Sequence, residues 1–176
     1  LLSDRITNEA RELTRAKSYG MDLAENHLIV RARLTESQGA GNPYAGAFQR
    51  TLLANEVHST LTNLGLSVRR VRSGEEHLLI LSSPLDDHGF SALASRFPPL
   101  VEQMNRGYDA LNITAGCGRP HTGVAGLIQS DQEARVALRA SAAKGGGLTC
   151  LDDLGLLRLI YASDPDQEVH DYIQET

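Results

Sequence analysis

The segment from Ala110 to Lys144 constrains the fold more than any other part of the chain. Residues 110–116 place apolar and polar side chains at alternate positions, which is the pattern of a half-buried strand. Four glycines and one proline follow within residues 116–126. Such a density favours a tight, sharply turning connection, because glycine reaches backbone conformations that other residues avoid.

A helix is predicted after this turn. Ser130 is placed as its N-cap, Glu133 completes a capping box, and the glycines at 145–147 end the helix. The buried face is predicted to carry Ala134, Ala137, Leu138, Ser141 and Ala142. The opposite face is predicted to carry Asp131, Gln132, Arg135 and Arg139.

Motifs within and after this segment match the pattern of a known family. They are Gly-Arg-Pro-His-Thr-Gly-Val-Ala-Gly-Leu at 118–127, Ser130, Glu133-Ala134, Ala137-Leu138 and Asp152-Asp153-Leu154-Gly155-Leu156. The combination resembles the central domain of bacterial transcription regulators of the purine-catabolism and sugar-diacid type (PucR/CdaR). That domain is a degenerate relative of the GGDEF nucleotide-cyclase fold. The resemblance is specific over residues 110–157 and looser over residues 27–107.

Size and composition exclude several classes of protein. A chain of 176 residues can bury a core of its own, and its net charge of -5 argues against a nucleic-acid-binding surface. The two cysteines, Cys117 and Cys150, have no metal-site spacing, which fits a reducing cytoplasm. Apolar runs fall well short of the roughly 20 residues that a membrane span needs. We therefore expect a soluble cytoplasmic protein with no metal and no cofactor.

The remaining periodicities predict the other elements. Helices are predicted over Ser3–Tyr19 and Pro43–Leu64. Asp86 or Asp87 is predicted to cap the next helix, and Pro98-Pro99 either kinks it or starts a second helix that ends at Gly107. Asp152 is predicted to cap a further helix, and Asp164 starts the last one. Strands are predicted over His27–Leu34, Ser67–Arg72, His77–Ser82 and Leu148–Leu151. The core stripe of the second helix is predicted as Ala47, Leu52, Val57 and Leu61, with Phe48 and Leu53 beside it. On the first strand, Arg31 and Arg33 are predicted to point to a wetter face.

This order of elements predicts an α/β (α+β) fold with a ferredoxin-like βαββαβ sheet, flanked by N- and C-terminal helices. Residues 1–20 are interpreted as a linker or stalk helix, and residues 21–151 as the GGDEF-like domain. Residues 152–176 are interpreted as connecting helices. We expect the chain to be a segment of a longer protein, with a helix-turn-helix beyond residue 176.

The resemblance places the β-hairpin at 73–77 where the GGDEF motif of the cyclases lies. There Ser73, Glu75 and His77 replace family residues, whereas Gly74 and Glu76 match. Phosphoryl transfer needs carboxylates that hold a divalent metal ion, and Glu36 is the available partner on the first strand. This set is incomplete, so no catalytic residue is assigned.

The glycine-rich turn allows two interpretations. Gly116 and Gly118 could offer backbone N–H groups to an anionic effector, with Arg119 and His121 adding positive charge. The alternative, which we favour, is that the glycines permit positive φ angles and close packing while Arg119 bonds carbonyl groups across the turn.

Arginines are concentrated on one predicted strand. Arg69, Arg70 and Arg72 indicate a solvated or partner-binding strand edge and form the candidate interface.

The sequence therefore predicts a non-enzymatic regulatory and dimerisation domain. As the resemblance implies, it would relay an effector signal to DNA only through a helix-turn-helix outside this chain. The expected partners are a second copy of the chain and a small-molecule effector, with no membrane. The alternative is a nucleotide-binding sensor or residual cyclase-like enzyme that uses Glu75 and Glu76.

Overall fold

The computed structural model describes residues 16–18, 20–37, 45–73 and 76–162. Its strands are β1 (Asn26–Glu36), β2 (Ser67–Ser73), β3 (Glu76–Ser83), β4 (Leu111–Cys117), β5 (His121–Thr122) and β6 (Gly147–Cys150). Its helices are α1 (Ala45–Asn63), α2 (Asp87–Ala94), α3 (Phe97–Gly107), α4 (Gly123–Ala143) and α5 (Leu157–Ala162). A short 3-10 helix lies at Leu151–Leu154.

The strands form one mixed sheet in the order β2-β3-β1-β4-β6, and β5 also pairs with β1. Neighbouring strands are antiparallel except for β4 and β6, which α4 connects as a parallel pair. The first four strands follow the ferredoxin-like arrangement, with β1 and β3 at the centre. The predicted mixed α/β fold is confirmed.

The two faces of the sheet pack against different helices. Leu28 and Val30 of β1 belong to the main core, together with residues of the helices on that side. These helix residues are Leu53 and Leu61 of α1, Phe90 of α2, and Phe97 and Met104 of α3. The alternate β1 residues Ile29 and Arg31 face α4. The period-2 alternation of β1 thus separates an apolar layer from the layer that carries charge.

The long helix begins earlier than the sequence pattern indicated. It starts at Gly123, whose φ is +74°, so Ser130 is an interior residue of α4 and fully buried. The predicted N-cap and capping box are therefore wrong. Ser130 Oγ instead accepts a hydrogen bond from the N–H of Ile29 at 2.9 Å and donates one to the carbonyl of Arg119 at 2.7 Å.

Other helix boundaries agree with the predicted signals. The Asp86 side chain accepts a hydrogen bond from the N–H of Gly89 at 2.8 Å and caps α2. Two prolines follow Phe97 in the first turn of α3, where a missing N–H has no cost. The glycines at 145–147 all have positive φ and end α4.

Some predicted faces and caps are wrong. Ala142 is exposed, although the other four residues predicted for the buried face of α4 are buried. On α1, Ala47, Phe48 and Leu52 face solvent, because only one narrow stripe of that helix reaches the sheet. Asp152 lies inside the 3-10 helix, where it pairs with Arg119, and does not cap a helix.

The predicted terminal helices fall largely outside the described residues. The described part of the first one is the helical residues 16–18, and all of the helix predicted from Asp164 lies beyond residue 162. The domain boundaries after residues 20 and 151 remain predictions. Among the described helices, none has the length and apolar character that crossing a bilayer requires.

Candidate functional site

The side chain of Arg31 lies buried between strand β3 and helix α4. Its Nε and Nη2 donate to the two oxygens of Asp131 at 2.6 and 3.0 Å. Its Nη1 donates to Glu76 Oε2 at 2.7 Å. A planar guanidinium that forms a bidentate pair and a third charged hydrogen bond is held in one orientation.

Backbone pairing explains how these residues meet. Glu76 is the first residue of β3 and pairs with Arg33 of β1. Arg31 lies two residues before Arg33 in β1, and therefore on the same face of the sheet. The other partner comes from α4, where Asp131 follows Ser130. β1 pairs with β5 at Asn26 and His27, and with β4 from Val30 onward. Ile29 lies between these two stretches, and its N–H donates to the Ser130 hydroxyl, which fixes α4 against β1.

Two further arginines extend the contact into a network. Arg33 donates from Nε and Nη2 to Glu76 Oε1, at 3.0 and 2.7 Å. Arg135 Nε lies 3.2 Å from Asp131 Oδ2. Three guanidinium groups thus surround two carboxylates, which gives the network an excess of one positive charge. We call Arg31, Arg33, Glu76, Asp131 and Arg135 the arginine network.

The network shifts the pKa values of its members in the directions that favour charge. The hydrogen bond to Asp131 is the main cause that raises the pKa of Arg31, against the opposing effect of burial. Burial alone would raise the pKa of Glu76, but hydrogen bonds from Arg33 and Arg31 reverse this effect and leave it below its ordinary value. Both partners stay ionised at neutral pH.

Glu36 and Glu76 do not come together at one site. Glu36 lies on the α1 side of the sheet, where Arg50 Nη2 is 3.2 Å from its Oε1, whereas Glu76 faces α4. Residues at odd and even positions of β1 point to opposite faces, so two carboxylates so placed cannot share one metal ion. The sequence reasoning missed this because it did not fix the register of β1 and β3.

The other hairpin residues are dispersed. Ser73 ends β2, and Gly74 and Glu75 lie outside the described residues. His77 points to the face opposite Glu76, toward α1 and α3.

The glycines at the end of β4 serve close helix packing. A Cβ on Gly116 would lie 2.1 Å from the backbone nitrogen of Leu138, and a Cβ on Gly118 would lie 2.2 Å from the carbonyl oxygen of Ser130. Neither glycine has a positive φ; in this turn only Gly123 does among the described residues. Close packing is therefore observed at these two positions, whereas the positive φ angles expected of them are wrong.

The basic residues of the turn have acidic partners within the chain. Arg119 Nε lies 2.6 Å from Asp152 Oδ1, and the Arg119 N–H donates to Glu133 Oε2 at 2.8 Å. His121 Nε2 lies 3.1 Å from the same Glu133 oxygen. The expected bonding of the Arg119 side chain to carbonyl groups is wrong, since this side chain binds the Asp152 carboxylate. An effector site in this turn remains a prediction.

The three arginines of β2 lie at one edge of the described sheet, with Arg69 on one face and Arg70 and Arg72 on the other. Arg69 donates to the carbonyl oxygen of Gly20, and Arg70 lies on the α1 side. The edge position is confirmed, and a role of Arg69, Arg70 and Arg72 as an interface stays a prediction.

Comparison with known families decides the class of this fold. Residues 4–140 match the family described as the GGDEF-like domain. The chain belongs to that family. A comparison with curated proteins gives no match.

Within this GGDEF-like domain, the arginine network lies at the start of β3, next to the hairpin between β2 and β3. Sequence reasoning assigned Arg31 to a wetter face, and this is wrong, because Arg31 is only 7% exposed. The usable signal was the pair of arginines two residues apart in an apolar strand, which requires buried counter-charges. No cluster of three or more His, Cys, Asp or Glu side chains suited to a metal ion occurs among the residues described.

Proposed function

We propose that this GGDEF-like domain is a non-enzymatic regulatory and dimerisation domain of a PucR/CdaR-type transcription regulator. It relays an effector signal in the cytoplasm to a helix-turn-helix DNA-binding domain outside this chain. The observation that carries the non-enzymatic part is the Arg31 guanidinium between Glu76 and Asp131.

The physical argument concerns competition for the carboxylates. Cyclase-type phosphoryl transfer uses carboxylates that hold a divalent metal ion against the phosphates. Here the described hairpin acid, Glu76, is bound by both Arg31 and Arg33. A metal ion would have to displace two tethered guanidinium groups and enter a network that is already positive. The loss of these ion pairs and the repulsion from the excess positive charge both oppose metal binding.

The same network supports a mechanical role. Arg31 connects the hairpin strand β3, the central strand β1 and helix α4 through three charged hydrogen bonds. A signal that moves α4 relative to the sheet must break or keep both hydrogen bonds to Asp131 together, whereas the bond to Glu76 stays within the sheet. Such an all-or-none contact suits an element that biases two arrangements of a regulator.

Nucleotide chemistry provides the first test. The purified chain is incubated with GTP or ATP and Mg²⁺ or Mn²⁺, cyclic dinucleotides are measured by mass spectrometry, and binding is measured by calorimetry. We expect no product and no binding. Turnover, or nucleotide binding that Glu76→Ala abolishes and Glu102→Ala on the exposed surface of α3 retains, would overturn the proposal.

The full-length protein provides the second test. Deletion of residues 21–151 should leave operator binding by the helix-turn-helix but remove its dependence on the effector. Sedimentation should show a homodimer. An effector response that survives the deletion would contradict the relay role, and a monomer at high concentration would contradict dimerisation.

A further inference from the structure

A cavity of about 500 Å³ lies between the sheet and helices α1 and α3. Apolar side chains from all three layers line it, among them Val30 and Leu79 of the sheet, Leu53 and Leu61 of α1, and Leu100 and Met104 of α3. The cavity is on the opposite face of the sheet from the arginine network. Its size falls within the range of small-molecule sites, which are mostly apolar with few polar groups.

Positive charge is concentrated at the opening of this cavity. Arg50, Arg70 and His77 belong to its lining, and the two arginines are exposed at its rim. Arg50 pairs with Glu36, whereas Arg70 forms no ion pair with any described residue. Burial and the charges of Arg72, Arg70 and Arg50 lower the pKa of His77, so this rim is an electropositive environment.

These two properties define the chemistry of a ligand. An apolar body gains free energy when it leaves water for the cavity, and an anionic head gains a charged hydrogen bond from the unpaired guanidinium. A strongly polar ligand such as a nucleotide would leave its polar groups unsatisfied among leucine side chains.

We propose that this cavity binds a small monocarboxylate with an aliphatic or aromatic body, whose carboxylate binds Arg70 at the rim. The site lies on another face of the sheet and depends on other residues than the proposed regulatory function does. If the cavity does not bind a carboxylate, the proposed regulatory function is unaffected, and the reverse also holds. The cavity is tested with octanoate, whereas the regulatory function is tested with nucleotides and the natural effector.

The binding experiment compares octanoate with octan-1-ol and acetate by calorimetry on the whole chain. We expect octanoate to bind with one-to-one stoichiometry, octan-1-ol to bind more weakly and acetate not to bind. Arg70→Gln should weaken octanoate binding roughly tenfold and leave octan-1-ol binding unchanged. The matched control is Arg69→Gln, which removes the same charge from the neighbouring position on the opposite face and should change neither affinity.

Two further measurements locate the ligand. Ala54→Leu places extra atoms in the cavity from α1 and should abolish octanoate binding without lowering the melting temperature. The second measurement uses the protein without substitutions. The chain has two methionines, Met21 and Met104, and Met104 lines the cavity. Octanoate should shift the ¹³C-methyl resonance of Met104 and leave that of Met21 unchanged.

Several results would overturn the proposal. They are an absence of octanoate binding at millimolar concentration, equal effects of the Arg70 and Arg69 substitutions, and a Met104 resonance that does not respond. A folded Ala54→Leu protein that still binds octanoate would also overturn it.

Discussion

The Arg31 guanidinium and the Asp131 carboxylate form a bidentate ion pair that joins β1 to α4, with N–O distances of 2.6 and 3.0 Å. This pair has a third partner in Glu76, so Arg31 is the only member of the arginine network that contacts both carboxylates. Its removal would leave two partly buried carboxylates facing each other without the intervening charge. The stability of the domain should therefore depend on it strongly.

Arg31→Ala is expected to lower the free energy of unfolding by about 3 kcal/mol, because Glu76 and Asp131 lose their buried partner and keep only the more exposed Arg33 and Arg135. Arg33→Ala should cost less than about 1 kcal/mol, since the Arg33 side chain is 52% exposed. Urea denaturation followed by circular dichroism measures both values. Equal losses for the two variants would show that burial does not distinguish them.

Gly116→Ala is expected to destabilise the domain by about 3 kcal/mol or more, because the new Cβ would overlap the backbone of α4 at Leu138. The matched control is Gly107→Ala at the end of α3, where a Cβ meets nothing within 4 Å. That control should have a near-wild-type melting temperature. A small effect at Gly116 would mean that α4 can move away from β4 at little cost.

Stability should decrease on the acid side of neutrality because of His27. This side chain is fully buried, and its Nδ1 lies 2.8 Å from Ser82 Oγ. Burial lowers the pKa of His27, against the smaller opposing effects of Asp22 and Glu25. The folded state therefore binds the proton less readily than the unfolded state does. The His27 contribution is complete above about pH 6.5 and is lost as the pH falls toward the folded-state pKa.

The measurement is the free energy of unfolding between pH 7.5 and pH 5, values chosen to bracket the usual histidine range of about 6.5. His27→Gln should reduce the pH-dependent loss, whereas His88→Gln, at an exposed position, should preserve it. If the free energy of unfolding has the same slope against pH in the wild-type protein and in both variants, His27 is not the cause of the loss.

The two thiols should react at different rates. Cys117 and Cys150 are paired positions on β4 and β6, and both are free. A hydrogen bond with Cys150 and complete burial raise the pKa of Cys117. Because the thiolate is the reactive form, iodoacetamide should modify Cys150 well before Cys117 in the native protein. Mass spectrometry of digested samples tests this, with urea-unfolded protein as the control in which both react.

Sequence patterns predicted most elements because periodicity and turn residues act locally. The strands at both sides of the hairpin, the Asp86 cap and the glycines that end α4 all follow from such signals. Ser130 was misplaced because a serine before Glu133 looks like a cap, and only the tertiary structure shows that its hydroxyl binds the backbone of β1.

The candidate site required information that periodicity lacks. Alternation shows that Arg31 and Arg33 share a face, but it does not show which helix covers that face or which residue of β3 lies opposite. Asp131 and Arg31 are a hundred residues apart in sequence, and their contact depends on how α4 crosses the sheet. For the same reason, the sequence did not show that Cys117 and Cys150 are paired positions on β4 and β6, or that Glu36 and Glu76 lie on opposite faces.

The arginine-bearing strand β2 forms an outer boundary of the described sheet. A twofold-related copy of the chain that continued the sheet there would bring guanidinium groups opposite one another, and like charges in facing positions repel. By contrast, a strand with aspartate or glutamate at alternate positions would place negative charges opposite these guanidinium groups, and such pairs attract. The charge of this edge thus disfavours edge-to-edge pairing of β2 with a second copy of itself.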